Sequence, residues 1–273
     1  RLMAKPSVDF HVLSALWIAK VGHKYDEKLD DCSYGNRIRR KENEEYSELS
    51  LGSFKHYLKP FRDWRDNGIN IMRNALNKDK EIVAMTADVS SFYHKLTPDF
   101  MNEDAFLNAI DLELKEDEKL LTTLFIKALK TWTEKTPLEE GIPVGLPASG
   151  LVANMALIEL DRLIQEEIVP LYYGRYVDDI ILVMENGKKF TSDKEVWEWI
   201  NKRSEKCINK KAEELLAWQN KAGKETIVFK PEYLSNSTIQ FKNKKNKVFL
   251  LKGESGKALV DSIARHIHER ASE

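Results

Sequence analysis

The chain has 273 residues and a mass of 31.6 kDa, with 42% apolar and 32% charged residues; this excludes a disordered chain and allows one large domain or two to three subdomains. No apolar run approaches the ~20 residues of a membrane-spanning helix, and Cys32 and Cys207 show no CxxC or Cys/His spacing, which argues against a disulfide scaffold and a zinc site and leads to the expectation of a soluble globular chain. The net charge of −1 argues against a nucleic-acid binder, but it hides a split: Lys188–Glu273 carries 19 basic and 12 acidic residues (+7), and the preceding residues carry 24 and 32 (−8).

In chain order, Val12, Leu13, Leu16, Trp17 and Ile18 predict a helix within residues 1–30. Residues 31–50 read as polar and turn-rich, with a basic cluster at Arg37, Arg39, Arg40 and Lys41. Phe54, Tyr57, Leu58, Phe61 and Trp64 predict a helix over 53–77, with a break or kink at Pro60. Ile82–Met85 predicts a buried strand. Residues 104–133 predict one or two helices, followed by a loop at Gly141, Pro143, Gly145 and Pro147. A buried helix is predicted over Leu151–Ile168 and a hairpin over Leu171–Met184. Ser192 with Glu195 reads as a capping box opening a helix to about Trp218. Short strands are predicted at Thr226–Phe229, Thr238–Phe241 and Val248–Leu251, with a basic hairpin turn at Lys242–Lys247, then a helix over Lys257–Arg270. The mixed order predicts an α+β fold. The opening at Arg1 and the short run after the last helix lead to the expectation that flanking sequence is missing; no secretory signal is expected, and the location expected is cytoplasmic.

Three segments carry chemistry. Asp88 ends an apolar strand in Thr86-Ala87-Asp88-Val89-Ser90-Ser91-Phe92-Tyr93. A Gly/Pro loop runs from Gly141 into the helix holding Asn154. Tyr176-Val177-Asp178-Asp179 forms the hairpin tip. Each alone has an ordinary reading: a solvated turn, a turn starter, a loop. Adjacent aspartates repel, and a divalent cation resolves the repulsion. If the Asp88 strand pairs beside the hairpin, Asp88, Asp178 and Asp179 converge, as two-metal phosphoryl transfer requires.

These segments resemble motifs A (Asp88–Tyr93), B (Gly141–Asn154) and C (Tyr176–Asp179) of reverse transcriptases, in the family's order. The resemblance is firm over about 82–185. The Tyr-x-Asp-Asp form points to RNA-templated DNA synthesis. The run Ser33-Tyr34-Gly35-Asn36-Arg37-Ile38-Arg39-Arg40 resembles the fingers of bacterial reverse transcriptases that are retron-like or defence-associated, many of which act against phage. Two departures stand out: motif B reads Pro143-Val144-Gly145 where the family has Pro-Gln-Gly, and Ser149-Gly150 where it has Ser-Pro. No ribonuclease H or maturase segment is recognisable.

The resemblance implies a right-hand polymerase, with fingers at 1–81 and 99–140 and palm at 82–98 and 141–234. A primer-grip hairpin and the start of a thumb fall at 235–273. It implies an RNA template, a DNA or RNA primer and dNTP substrates, with two Mg²⁺ ions (Mn²⁺ as a substitute) on Asp88, Asp178 and Asp179. Tyr93, with Phe92 beside it, matches the steric gate that excludes a ribose 2′-OH, against the reading that both rings pack. Arg37, Arg39, Arg62 and Arg65 are candidate triphosphate contacts, against a solvated basic face. Lys230 matches a motif D lysine. Pro143, Gly145, Ser149, Asn154 and Tyr176 are implied template or primer contacts, with Lys244 and Lys245 on the primer grip. His94 reads as a surface residue, and Trp197, Trp199 and Trp218 as packing. Two alternatives stand beside this reading: template-independent or protein-primed synthesis, and an RNA-binding scaffold without catalysis. The oligomeric state is open.

Overall fold

The computed structural model describes residues 5–41, 53–137, 140–207, 215–221, 224–237, 239–242 and 246–271. Helix α1 (Val8–Trp17) begins where the Ser7 hydroxyl accepts from the Phe10 N–H at 3.3 Å, satisfying one of the donors that a helix start leaves open. A π turn at Ile18–Gly22 leads into α2 (His23–Asp26). Helix α3 (Leu58–Asn77) is continuous. The break expected at Pro60 is absent, because Pro60 lies in the first turn, where its missing N–H has no helical partner to lose.

Strand β1 (Ile82–Asp88) is followed by α4 (Phe92–Lys95), α5 (Asp104–Ala109) and α6 (Glu116–Glu134). Trp17 is fully buried; it stacks on Phe125 of α6 at 4.5 Å and donates from Nε1 to Thr122 at 3.2 Å. Helix α7 (Pro147–Ala156) starts earlier than the predicted 151, with Pro147 in its first turn, and is buried from Ala148 to Ala156. It continues as α8 (Ile158–Arg162) and a π turn at Leu163–Ile168.

Strands β2 (Tyr172–Tyr176) and β3 (Asp179–Glu185) form the predicted hairpin. Helix α9 (Asp193–Cys207) is shorter than predicted. Trp218 lies instead in β4 (Leu216–Lys221), which pairs with β5 (Lys224–Phe229). Leu216 and Trp218 repeat at the strand period of two, and register against Phe229 and Ile227 overrides the helical reading. Strand β6 (Ile239–Lys242), β7 (Lys247–Leu251) and α10 (Gly253–Ala271) complete the chain.

Two antiparallel sheets result, ordered β2-β3-β1-β7 and β4-β5-β6. Strands β6 and β7 thus lie in different sheets and are not the paired strands of the predicted hairpin. Lys247 registers with Thr86 of β1, so β7 belongs with the strand that carries Asp88, while Lys244 and Lys245 lie outside the described residues.

The four-stranded sheet is covered on both faces, since side chains alternate along each strand. Ile82, Ala84 and Val183 pack with Ile69, Met72 and Leu76 of α3 and Val260 and Ala264 of α10. Val83, Met85, Leu182 and Met184 belong to the larger core with Leu151, Val152 and Met155 of α7. The second sheet joins at Val89, which bridges to Phe241, and at Ser90, whose N–H donates to the Gln240 carbonyl at 2.8 Å. Trp197 is buried against Phe241, with ring centroids 5.0 Å apart. Among the described residues, no helix is long and apolar enough to cross a membrane.

Candidate active site

Asp88 ends β1 and registers directly against Asp179 at the start of β3. Cross-strand partners in an antiparallel ladder share a face with Cα atoms about 4.5–5.5 Å apart. Tyr176 registers with the same Asp179, so Tyr176, Asp179 and Asp88 form one row across three strands. Asp178 lies in the turn, and its carbonyl accepts from the Val89 N–H at 3.1 Å. Asp88 and Asp178 are half-buried and Asp179 is exposed.

The Asp88 strand pairs beside the hairpin, as the expected convergence requires. Among the described residues, no three His, Cys, Asp or Glu side chains make a ready metal-binding group. Three like charges repel, and a shared cation is what would draw them together. The donor set fits such a cation, because Mg²⁺ takes hard oxygens and uses one or two carboxylates beside substrate phosphates.

The turn is held from beneath by residues that sequence reasoning missed. Arg175 is fully buried. Its Nε and one Nη donate to both oxygens of Asp161 (2.9 and 2.5 Å), the other Nη to Asn154 Oδ1 and the Val177 carbonyl (both 2.9 Å). Tyr173 donates to Asp161 at 2.6 Å. Burial works to lower the Arg175 pKa, but the Asp161 carboxylate overrides it and the net shift is upward. The Tyr173 hydroxyl is pushed well up by burial and by Asp161, so it stays protonated and able to donate beside the bidentate pair.

Val177 needs that support. It is a buried β-branched residue at φ 59°, a conformation that costs about 1–3 kcal/mol unless its surroundings impose it. The Arg175–Val177 hydrogen bond is one restraint. The other is the segment Ser33–Arg37, which runs along the outer edge of β2. Ser33 bridges to Arg175, and the Tyr34 N–H donates to the Arg175 carbonyl at 2.8 Å. Gly35 lies against the turn so closely that a Cβ would sit 2.8 Å from Val177 Cγ2, and its carbonyl accepts from Asn154 Nδ2 at 2.7 Å. Cys32 is buried beside this network, and burial pushes its thiol well up, which makes it a poor nucleophile.

Asn154 is therefore a buried linker rather than a template contact, and Ser149 is likewise fully buried. Pro143 is buried as well, whereas Gly145 is exposed at the loop tip. The loop docks on α4, where the Ile142 N–H donates to the Tyr93 carbonyl at 2.7 Å. Gly141 has φ 102°, and a Cβ there would sit 2.6 Å from the Tyr93 oxygen, so only glycine fits. Phe92 is 2% exposed and is core, not a nucleotide contact; Tyr93 is half-buried at its edge. His94 is half-buried, with its Nε2 turned inward and without a hydrogen-bond partner.

The four arginines separate. Arg37 places all five N–H donors within the protein, on Asp26 Oδ1 and on the carbonyls of Asp26, Leu29, Asp30 and Ser33 (2.9–3.1 Å). No donor is left for a phosphate, since a guanidinium carries five. Arg65 is 7% exposed and paired with Asp66 at 2.8 Å. Arg39 and Arg62 are exposed, as is Lys230 after β5. Arg39 borders a cleft of about 900 Å³ that Tyr34, Phe54, Lys55, His56 and Lys59 also line. Tyr176 packs against Phe61 and Trp64, with ring centroids at 5.2 and 6.0 Å.

A family model described as reverse transcriptase (RNA-dependent DNA polymerase) matches residues 6–250. No curated protein matches the chain. The family match begins just before the first helix and ends in the last strand of the four-stranded sheet. It is thus the whole scaffold around the carboxylates that assigns the chain to the reverse transcriptase family, the nucleotidyltransferases that act as RNA-directed DNA polymerases.

Proposed function

We propose that the chain extends a DNA or RNA primer with dNTPs on an RNA template at the row formed by Asp88, Asp179 and the β2–β3 turn. The primer 3′ oxygen attacks the α-phosphorus of the dNTP; the new phosphodiester bond forms as the bond to pyrophosphate breaks. Asp88 and Asp178, with Asp179 beside them, would hold Mg²⁺ or Mn²⁺. Bound there, the cations stabilise charge on the attacking and leaving oxygens. Tyr93, carried at the mouth of the Gly141 loop, bars a ribose 2′-OH. Gly145 lets the strand approach the loop tip, and Arg39, Arg62 and Lys230 offer positive charge to phosphates.

In this reading the four-stranded sheet with α7 is the palm, the N-terminal helices and α5–α6 are fingers, and α10 starts the thumb. The Ser33–Arg40 run supports a bacterial, retron-like or defence-associated subgroup. The direct register of Asp88 with Asp179 is the observation that carries the reading, because a protein that only binds RNA gains nothing from like charges set opposite one another. The test is divalent-metal-dependent dNTP incorporation on a primed RNA template. Asp178→Ala is expected to reduce it at least about a thousandfold; retained templated incorporation would overturn the proposal.

A further inference from the structure

The start of α3 leaves large rings in water beside the carboxylate row. Tyr57 is 63% exposed and Phe61 38% exposed; four residues apart, they share a helix face. The stripe has a rigid root. Phe61 lies 5.5 Å from Trp64, and buried Trp64 donates from Nε1 to the Gly174 carbonyl at 2.9 Å. Phe61 also meets Tyr176 edge-on at 5.2 Å. Tyr176 is the register partner of Asp179, which is the partner of Asp88. The aromatic stripe therefore ends on the same sheet face and at the same end of the strands as the carboxylates.

Positive charge surrounds it. Lys55, Lys59 and Arg62 are exposed along this stretch, and the 900 Å³ cleft beside it adds Arg39, with Tyr34 and Phe54 among its walls. Two acids also line that cleft, Asp31 and Asp63, the latter paired with Lys59. The cleft borders the Ser33–Tyr34 segment beyond β2, three strand spacings or about 14 Å from β1. A mononucleotide with its α-phosphate at Asp88 does not span that distance; a strand does.

We infer that Tyr57 and Phe61 form a stacking platform for unpaired bases of the template strand, with Arg39, Lys55 and Arg62 along its phosphates. Rings supply sequence-tolerant stacking and cations supply salt-dependent affinity, the combination that holds single strands. The inference rests on the polymerase reading above.

The experiment compares binding of a DNA primer annealed to an RNA template with a short 5′ overhang against the same duplex with a blunt end, by fluorescence anisotropy. The unaltered chain is expected to prefer the overhang. Tyr57→Ala and Phe61→Ala should each weaken overhang binding about tenfold while leaving blunt-duplex binding unchanged, and Phe61→Trp should retain it. An unchanged overhang preference in both alanine variants would overturn the inference, as would a raised dNTP KM with overhang binding intact, which would put the rings at the incoming nucleotide. Asp178→Ala keeps the two proposals apart: it is expected to preserve the overhang preference while abolishing incorporation. Incorporation retained by Asp178→Ala defeats the polymerase assignment but not the binding result.

Discussion

Asp161 and Asp88 both meet the same hairpin turn in the fold, the first through Arg175 and the second through its register with Asp179, but their surroundings differ in kind. Asp161 is 1% exposed and meets a bidentate guanidinium and a tyrosine hydroxyl. Asp88 is half-buried and faces another aspartate across the ladder. The first arrangement satisfies every charge it buries and fixes the backbone of the turn. The second sets like charges opposite one another, an arrangement that a folded chain tolerates only near solvent or a cation. Holding the turn falls to the buried layer, and the proposed chemistry would fall to the half-exposed one.

That division can be broken experimentally. The largest effect is expected on activity from the upper layer: Asp178→Ala should remove incorporation while shifting urea stability by no more than about 0.5 kcal/mol, because the side chain is partly solvated. In the lower layer Arg175→Ala should destabilise by about 3–5 kcal/mol, since it strands the Asp161 carboxylate in the core. The paired change Arg175→Leu with Asp161→Leu should recover much of that stability in a urea titration without recovering activity, because the Val177 carbonyl is no longer held. Full activity in the paired variant would show that the clamp serves stability alone.

Gly141→Ala comes next, with about 1–3 kcal/mol lost to backbone strain and to the clash with the Tyr93 carbonyl. It should also loosen discrimination between dNTPs and rNTPs, measured as the ratio of their kcat/KM values. The smallest effect concerns pH. Burial lowers the pKa of His23, against an opposing pull from Glu27, so the unfolded chain binds the proton more readily than the folded one. Stability should therefore fall as pH drops through about 6.5. Melting temperatures across that range should show a slope that His23→Gln flattens.

The strands of the four-stranded sheet, the hairpin and the places of Asp88 and Tyr176–Asp179 at the strand ends are legible because apolar runs and turn residues are local signals. Arg175 is not. A charge inside a five-residue strand reads as a solvent-facing position, and the acid that neutralises it lies fourteen residues earlier on a helix. Its one local trace is the alternation in which Tyr173 and Arg175 point into the main core while Tyr172 and Gly174 face α3. Arg37 misled for the same reason: clustered cations suggest phosphate, but carbonyls gathered by the folded loop occupy its donors. The Trp218 strand was misread because Leu215, Leu216 and Trp218 fit a helical stripe until pairing with β5 is known. Pro60 was read as a breaker because the helix start at Leu58 lacks a side-chain cap to announce it.

The position of β1 in the sheet has a consequence for how the chain matures. Its residues end at Asp88, yet its two neighbours are β3, from Asp179, and β7, from Lys247. As the chain leaves the ribosome, an apolar strand must wait more than ninety residues for one partner and about a hundred and sixty for the other. Such distant pairing slows folding and leaves an adhesive strand exposed in the interim. Production of the protein is accordingly expected to depend on chaperones more than that of a helical chain of equal size, and truncation before Leu251 to yield aggregates rather than a smaller folded domain.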